Sequence, residues 1–197
     1  MSLEPGTQLM FRVRPLCFSS RLAPEPSIVP ELASRFELVI TYYLEMNAAD
    51  ELVKSHPKPD IDVREAEIKN FRFNRFLYQL VGENWSWNDK LSLSESEWAD
   101  YAEAADLRTW VAYVRGSIAG YYELKTSVSE VKLEYFGLAP DFIGKGYGGF
   151  LLSHAIESAW GMPETSRVWV HTCSLDHPNA LRNYQNRGFR LYDTVHT

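Results

Sequence analysis

The chain has 197 residues, 45% of them hydrophobic and 23% charged, which is the composition of one globular domain with enough apolar side chain for a full core. Its net charge of -6 at pH 7 argues against a broad nucleic-acid-binding surface, because phosphate binding requires clustered Lys and Arg. The longest apolar runs are far shorter than the roughly 20 residues that span a bilayer, so neither a transmembrane segment nor a membrane partner is expected.

The N-terminal segment has a composition that resists regular structure. Residues 1–35 contain five prolines, and only Gln8–Arg14 has the pattern of a short strand. No secretory signal is visible, and the two cysteines, Cys17 and Cys173, are too few for a disulfide framework. We therefore expect a cytoplasmic protein with an irregular extension over 1–35 and a compact domain over 36–197.

The first part of this domain is predicted to contain strands and two helices. A β-branched and aromatic run predicts a first strand over Phe36–Met46. Apolar residues that fall loosely on one side predict a helix over Val63–Leu80, and Ser94 is the expected N-cap of a second helix. Three strands with short connections then predict an antiparallel meander, over Leu107–Val114, Ile118–Lys125 and Val131–Leu138.

Helices and strands alternate in the last part of the chain. The predicted elements are a helix over Tyr147–Trp160, a strand over Ser166–Cys173, a helix over Pro178–Arg187 and a strand over Phe189–Asp193. A meander followed by this alternation indicates an α/β (α+β) domain.

A glycine-rich turn leads from the last meander strand into the Tyr147–Trp160 helix. It contains Gly144, Gly146, Gly148 and Gly149, which let the backbone bend and approach a ligand without a Cβ in the way. The first N–H groups of a helix have no partner within the helix and lie at its positive end. The turn therefore predicts an anion site, and a pyrophosphate is the natural ligand.

Two other phosphate-binding motifs fit this segment less well. Gly144-x-Gly146-x-x-Gly149 satisfies the dinucleotide fingerprint, but fewer than 50 residues follow it, too few for a doubly wound sheet. A P-loop requires Ser or Thr after its lysine, and Lys145 is followed by Gly146.

The segment Ile143-Gly144-Lys145-Gly146-Tyr147-Gly148 resembles the acyl-coenzyme A motif of the GNAT superfamily of N-acetyltransferases. The family usually has Arg or Gln where this chain has Ile143, which removes one side-chain contact to the phosphates. A second block, Asn179-Ala180-x-x-x-Tyr184-x-x-x-Gly188-Phe189, resembles the closing helix and strand of that superfamily. The resemblance implies the GNAT fold, a mixed and mostly antiparallel sheet flanked by helices on both faces, with acetyl-CoA as cosubstrate.

The resemblance also implies where the coenzyme binds. The backbone of Phe136, Gly137 and Leu138 would pair with the pantetheine arm as if it were an added strand, which an open strand edge permits. Asn179 would hydrogen-bond the pantetheine or cap its own helix. The pyrophosphate would be held by the turn and first helical residues, namely Gly144, Lys145, Gly146, Tyr147, Gly148 and Gly149.

The resemblance implies two catalytic roles. Tyr184 occupies the position that in many relatives protonates the departing thiolate, a step that suits a phenol with a pKa of about 10. Relatives often place the general base at one of two positions on the third meander strand, here Lys132 and Glu134. A lysine ammonium cannot accept a proton, so Glu134 is the preferred base and Glu83 the reserve candidate.

The acceptor pocket is expected around the first helix and its aromatic loop. Aromatic walls and a carboxylate would suit a small amine. The expected residues are Phe73, Tyr78, Glu83, Trp85 and Trp87, with His171 hydrogen-bonding substrate or water from a strand end; each of them could instead be an ordinary core or polar residue.

The sequence predicts transfer of acetyl from acetyl-CoA to a primary amine of a small molecule or peptide, with a homodimer as the expected assembly. The alternatives are a non-catalytic acyl-CoA-binding domain of the same fold and a nucleotide-dependent oxidoreductase. No metal is expected, because His171, Cys173, Asp176 and His177 lack tetrahedral ligand spacing and include one cysteine.

Overall fold

A computed structural model describes residues 38–85 and 87–197. The strands are β1 (Ile40–Met46), β2 (Ile61–Glu65), β3 (Leu107–Val114), β4 (Ser117–Ser127), β5 (Glu130–Leu138), β6 (Arg167–Cys173) and β7 (Arg190–His196). The helices are α1 (Phe71–Gly82), α2 (Glu95–Ala102), α3 (Tyr147–Trp160) and α4 (Ala180–Asn186). The possible strand over Gln8–Arg14 and the domain boundary at 36 lie outside the described residues.

The strands form one seven-stranded sheet in the order β2-β3-β4-β5-β6-β1-β7. All neighbours are antiparallel except β5 and β6, so the mixed, mostly antiparallel sheet is confirmed. β1 lies between β6 and β7, a long-range pairing that the order of elements along the chain did not reveal.

Helices cover both faces of the sheet, as expected. Trp110 and Tyr122 point into a large core with α3, whereas Val111 and Tyr121, an adjacent residue on each strand, pack with α1. Successive strand residues point to opposite faces, so each meander strand contributes to both layers. No helix in the described ranges is long and apolar enough to cross a membrane.

The predicted helix over Val63–Leu80 is wrong in its first half. Residues from Ile61 alternate between the interior and solvent and form β2, an edge strand paired with β3. The helix begins at Phe71, where the side chain of Asn70 accepts hydrogen bonds from the N–H groups of Arg72 and Phe73. Ile68, which contributed to the apparent helical periodicity, is exposed.

The second helix begins where the sequence predicts. The Ser94 side chain accepts a hydrogen bond from the Glu97 N–H, and the Glu97 side chain accepts one from the Ser94 N–H. This reciprocal capping box satisfies two N–H groups that the helix would otherwise leave unpaired.

Candidate active site

The parallel strands β5 and β6 separate soon after they meet. Their pairing covers only Glu130 to Lys132 against Arg167 to Trp169. Beyond this short pairing, each of the two strands lines one side of a cleft of about 950 Å³. Within the described chain, the edge of β5 from Leu133 to Leu138 that faces β6 therefore has no strand partner, and its N–H and C=O groups can pair with an extended amide-bearing ligand.

The glycine-rich turn lies at one end of this cleft. Gly144 and Gly146 have φ of +78° and +81°, a left-handed conformation that favours glycine. Gly146 is the N-cap of α3 and provides no side-chain cap. The first N–H groups of α3 are thus left for a ligand, and Gly144, Gly146, Gly148 and Gly149 all line the cleft.

Lys145 and Tyr147 contribute only their main chain to this turn. The Lys145 ammonium lies over the Phe142 ring, 5.4 Å from its centroid. The Tyr147 side chain is buried in the core with α3, and its hydroxyl donates to Asp60. Neither side chain lines the cleft.

Phe136, Gly137 and Leu138 line the cleft from β5, as expected. A Cβ at Gly137 would lie 2.4 Å from Cγ1 of Val81, so this glycine is needed for α1 to pack on the strand. On α4, the Asn179 side chain makes no cap hydrogen bond and lines the cleft. Its amide is therefore available to a ligand.

Tyr184 reaches the cleft from α4. Its ring contacts Phe136 and Phe189 edge-on, with centroids 6.2 and 5.9 Å away, and its side chain is buried. Burial raises the pKa of Tyr184 well above its usual value, and the charge of Asp176 adds to the increase. The phenol therefore carries its proton at neutral pH, and its raised pKa makes it a weaker acid than a free tyrosine.

Glu134 lies in a β-bulge. Tyr135 pairs with Glu123 and Leu133 with Leu124, so Glu134 has no residue opposite it on β4. Its carboxylate contacts the Lys132 ammonium at 2.7 Å. The structure therefore brings Glu134 to the cleft, with its charge already compensated.

His171 lines the cleft from β6. Its ring lies against Tyr43 of β1, with centroids 5.9 Å apart. Burial lowers the pKa of His171, and the charge of Lys132 lowers it further. The imidazole is therefore neutral at neutral pH.

The aromatic loop between α1 and α2 is only partly on the cleft. Trp85 and Trp87 line it, and Trp85 contacts His177 with ring centroids 4.9 Å apart. Tyr78, by contrast, is buried beneath the loop, where its hydroxyl donates a hydrogen bond to Asp89. Glu83 is exposed and does not line the cleft.

Asp89 is a cleft residue that the sequence analysis missed. Its carboxylate accepts hydrogen bonds from the hydroxyls of Tyr78 and Tyr135. Burial raises the pKa of Asp89, but the two hydrogen bonds, of which the one from Tyr135 has the larger effect, hold it below its usual value. Its position beside Trp87 in an aromatic loop was the available signal. Within residues 38–85 and 87–197, no group of His, Cys, Asp and Glu is arranged to hold a metal ion.

Comparison with known proteins gives a family and several structural relatives. The model of the acetyltransferase (GNAT) family matches residues 74–189, more than half of the chain. Curated proteins give no match.

Solved structures share the fold at low sequence identity. A GCN5-related N-acetyltransferase from Sphaerobacter thermophilus has a TM-score of 0.60 at 13% identity, over 80% of this chain and 50% of that chain. One from Kribbella flavida has a TM-score of 0.58 at 13% identity, over 80% and 56%. A GNAT family acetyltransferase from Elizabethkingia anophelis, solved with acetyl-CoA bound, has a TM-score of 0.50 at 20% identity, over 69% and 80%.

The chain spans 50–60% of the length of several solved chains that it matches. Those likenesses show the fold, whereas the family match covers both motifs that carried the resemblance. The resemblance is thereby confirmed: the chain belongs to the acetyltransferase (GNAT) family, which uses acetyl-CoA.

Proposed function

We propose that this protein transfers the acetyl group of acetyl-CoA directly to a primary amine of a small molecule or peptide. The observation that carries the proposal is the cleft itself. An unpaired edge of β5, the uncapped start of α3 and the buried phenol of Tyr184 line one cavity. This arrangement offers main-chain groups to an extended arm, N–H groups to phosphates and a proton to a leaving thiolate.

Main-chain groups hold the coenzyme in this proposal. The edge of β5 at Phe136, Gly137 and Leu138 pairs with the pantetheine amides, and the Asn179 amide binds them from α4. The N–H groups around Gly146 and Gly148 bind the pyrophosphate at the positive end of α3. Bound acetyl-CoA would supply an activated thioester to the cleft.

Tyr184 is proposed as the proton donor to sulfur, because it lines the cleft from α4 and its phenol is protonated at neutral pH. Glu134 and His171, on the two strands that border the opening, are the competing candidates for the proton acceptor. Trp85 and Trp87 provide the aromatic wall for the acceptor amine, and the Asp89 carboxylate lies beside them.

A non-catalytic acyl-CoA-binding domain is the second candidate. Ile143, where relatives have Arg or Gln, and Lys132, at one of the two alternative base positions, favour it. Both functions predict binding of acetyl-CoA, but only an enzyme releases coenzyme A.

The two candidates are separated by measuring thiol release from acetyl-CoA with the purified full chain. The amine panel should contain aminoglycosides, polyamines, amino acids and short peptides. We expect at least one amine to accelerate release over the amine-free rate. Binding of acetyl-CoA without acceleration by any amine would support the second candidate.

A further inference from the structure

The register of β5 and β6 places His171 and Glu134 on one face at the point where the strands part. Lys132 is the last β5 residue paired with β6, and Trp169 is its partner. Their side chains share a face, since the Lys132 ammonium lies 5.2 Å from the Trp169 ring centroid. Two residues further on, each strand again points to that face. These positions are Glu134, which contacts Lys132, and His171.

The two side chains differ in their freedom to take a proton. The Glu134 carboxylate is held by the Lys132 ammonium at 2.7 Å, and both side chains are largely buried. Protonation of Glu134 would leave the Lys132 charge uncompensated in a partly desolvated site, which is costly. Across the described ranges, by contrast, no residue hydrogen-bonds the His171 imidazole, which is open to the cleft.

Desolvation, more than the surrounding charges, keeps the His171 imidazole neutral. Burial has the largest effect on its pKa and lowers it, and Lys132 lowers it next. Glu134, Asp176 and Asp89 act in the opposite direction but do not reverse the shift. The charged groups that act on the imidazole are Lys132 and Glu134 from β5, Asp176 from the loop before α4 and Asp89 from the loop before α2, and the Tyr43 ring of β1 packs against it.

We propose that His171, rather than Glu134, accepts the proton from the acceptor amine, with the Lys132–Glu134 pair as the positioning charge pair beside it. This inference rests on the proposed acetyl transfer. It gives Glu134 a different role from the one that the family resemblance implies.

The proton inventory of the reaction is balanced. An ammonium substrate loses two protons when its nitrogen becomes an amide. The first proton goes to the His171 imidazole, directly or through one water, and from there to solvent. Its loss frees the nitrogen lone pair, which forms the bond to the acetyl carbon as the carbon–sulfur bond breaks. The second leaves as the amide forms, and its equivalent reaches sulfur through Tyr184. The products are amide, thiol and one released proton.

The test compares His171→Gln with Glu134→Gln, using the best amine from the panel. We expect His171→Gln to reduce kcat/KM by about 100-fold or more, the usual contribution of a general base. Glu134→Gln should reduce kcat/KM much less than His171→Gln does, because it removes one charge of the positioning pair but leaves the imidazole in place. Calorimetry with acetyl-CoA confirms that each variant still folds and binds the coenzyme.

The pH profile of kcat/KM separates a proton acceptor from a merely structural residue. In the wild type, activity should fall on acidification through a pKa below the ordinary imidazole value of about 6.5. Lys132→Met removes a charge that lowers the pKa of His171, so the acid limb should move to higher pH; Glu134→Gln should move it to lower pH. His154→Gln is the matched control: burial lowers the pKa of His154 as well, but this histidine contacts Tyr122 outside the cleft and should leave the limb in place.

Titration of the labelled His171 ring by NMR adds a readout that needs no acceptor. The expected pKa lies below that of a free imidazole and rises in Lys132→Met. The inference is overturned if the Lys132→Met substitution leaves that pKa unchanged, or if Glu134→Gln abolishes turnover while His171→Gln preserves it. If no amine accelerates thiol release by the wild type although acetyl-CoA binds, the proposed function has failed instead, and the inference falls with it.

Discussion

Tyr184 joins two features that a proton donor to a thiolate requires. Its ring is fixed between Phe136 and Phe189, and it lines the cleft with a hydroxyl that carries its proton at neutral pH. Substitution Tyr184→Phe removes the proton and leaves the ring packing. We expect kcat to fall by about 100-fold with the acetyl-CoA affinity nearly unchanged, measured by steady-state kinetics and calorimetry. Unchanged turnover with the true acceptor would remove Tyr184 from the mechanism.

Gly146 can be tested against a glycine of the same conformation elsewhere. Gly116, in the β3–β4 hairpin, has φ of +85°, close to the +81° of Gly146, and a Cβ there would meet no atom within 4 Å. Alanine at either position costs about 1–2 kcal/mol of stability from the left-handed backbone. Of these two glycines, Gly146 lines the cleft and Gly116 does not. We expect Gly146→Ala to weaken acetyl-CoA binding about 10-fold, a loss of about 1.4 kcal/mol. Equal loss of affinity in both variants would show a general effect of destabilisation.

At the scale of elements, α1 and α2 are joined to the sheet by a buried polar network. The Asn74 amide donates to the Glu123 carboxylate at 2.7 Å, the Trp98 indole donates to Asn74 at 2.9 Å, and the Tyr101 hydroxyl donates to the other oxygen of Glu123. Burial raises the pKa of Glu123 to about 7 against these hydrogen bonds, which lower it. The two helices are thereby fixed to β4 by a carboxyl group that titrates near neutral pH.

Because of this network, we predict that the free energy of unfolding falls as pH rises. The folded protein keeps the Glu123 proton up to a pKa of about 7, whereas the unfolded chain loses it near 4.5. The stabilisation that protonated Glu123 provides is full below about pH 4.5 and is lost by about pH 7. The free energy of unfolding therefore decreases by about 3 kcal/mol over this range. Glu123→Gln should flatten this decrease, since an amide does not titrate and the Tyr101 hydroxyl can accept its N–H. Urea unfolding from pH 5 to 8 measures it, and equal slopes in both proteins would contradict the account.

Elements with a strong local signal were predicted from the sequence, and those that depend on distant partners were not. The Ser94 N-cap, the meander and the glycine start of α3 were all predicted, because each depends on residues close together in the chain. β2 was missed because a short edge strand carries little pattern of its own. The pairing of β1 between β6 and β7 joins residues more than 120 positions apart, which local periodicity does not encode.

The same limit explains the acceptor side of the candidate site. The main-chain positions of the proposed coenzyme cradle rest on two sequence motifs, one at the start of α3 and one over α4 and the start of β7. The proposed acceptor wall combines the loop between α1 and α2 with residues of β1, β5 and β6. The sequence therefore could not separate Trp85 and Trp87, which line the cleft, from Tyr78 and Glu83, which do not.

At the scale of the whole molecule, the site depends on one break in the sheet. β5 is paired with β4 along its length, but only its first residues pair with β6. α3 follows β5 through the glycine turn and packs on the same strands, so the cleft and the uncapped helix start are formed together. The proposed coenzyme site is therefore a consequence of the topology, while the proposed acceptor side combines the loop between α1 and α2 with residues of several strands.

Calorimetric titration of the purified chain with acetyl-CoA tests this account most directly. We predict saturable binding at one site with micromolar affinity, and no comparable heat with NADH, which an oxidoreductase would bind. Absence of acetyl-CoA binding up to millimolar concentration would contradict the central claim that the parted strands and the glycine turn hold an acyl-CoA.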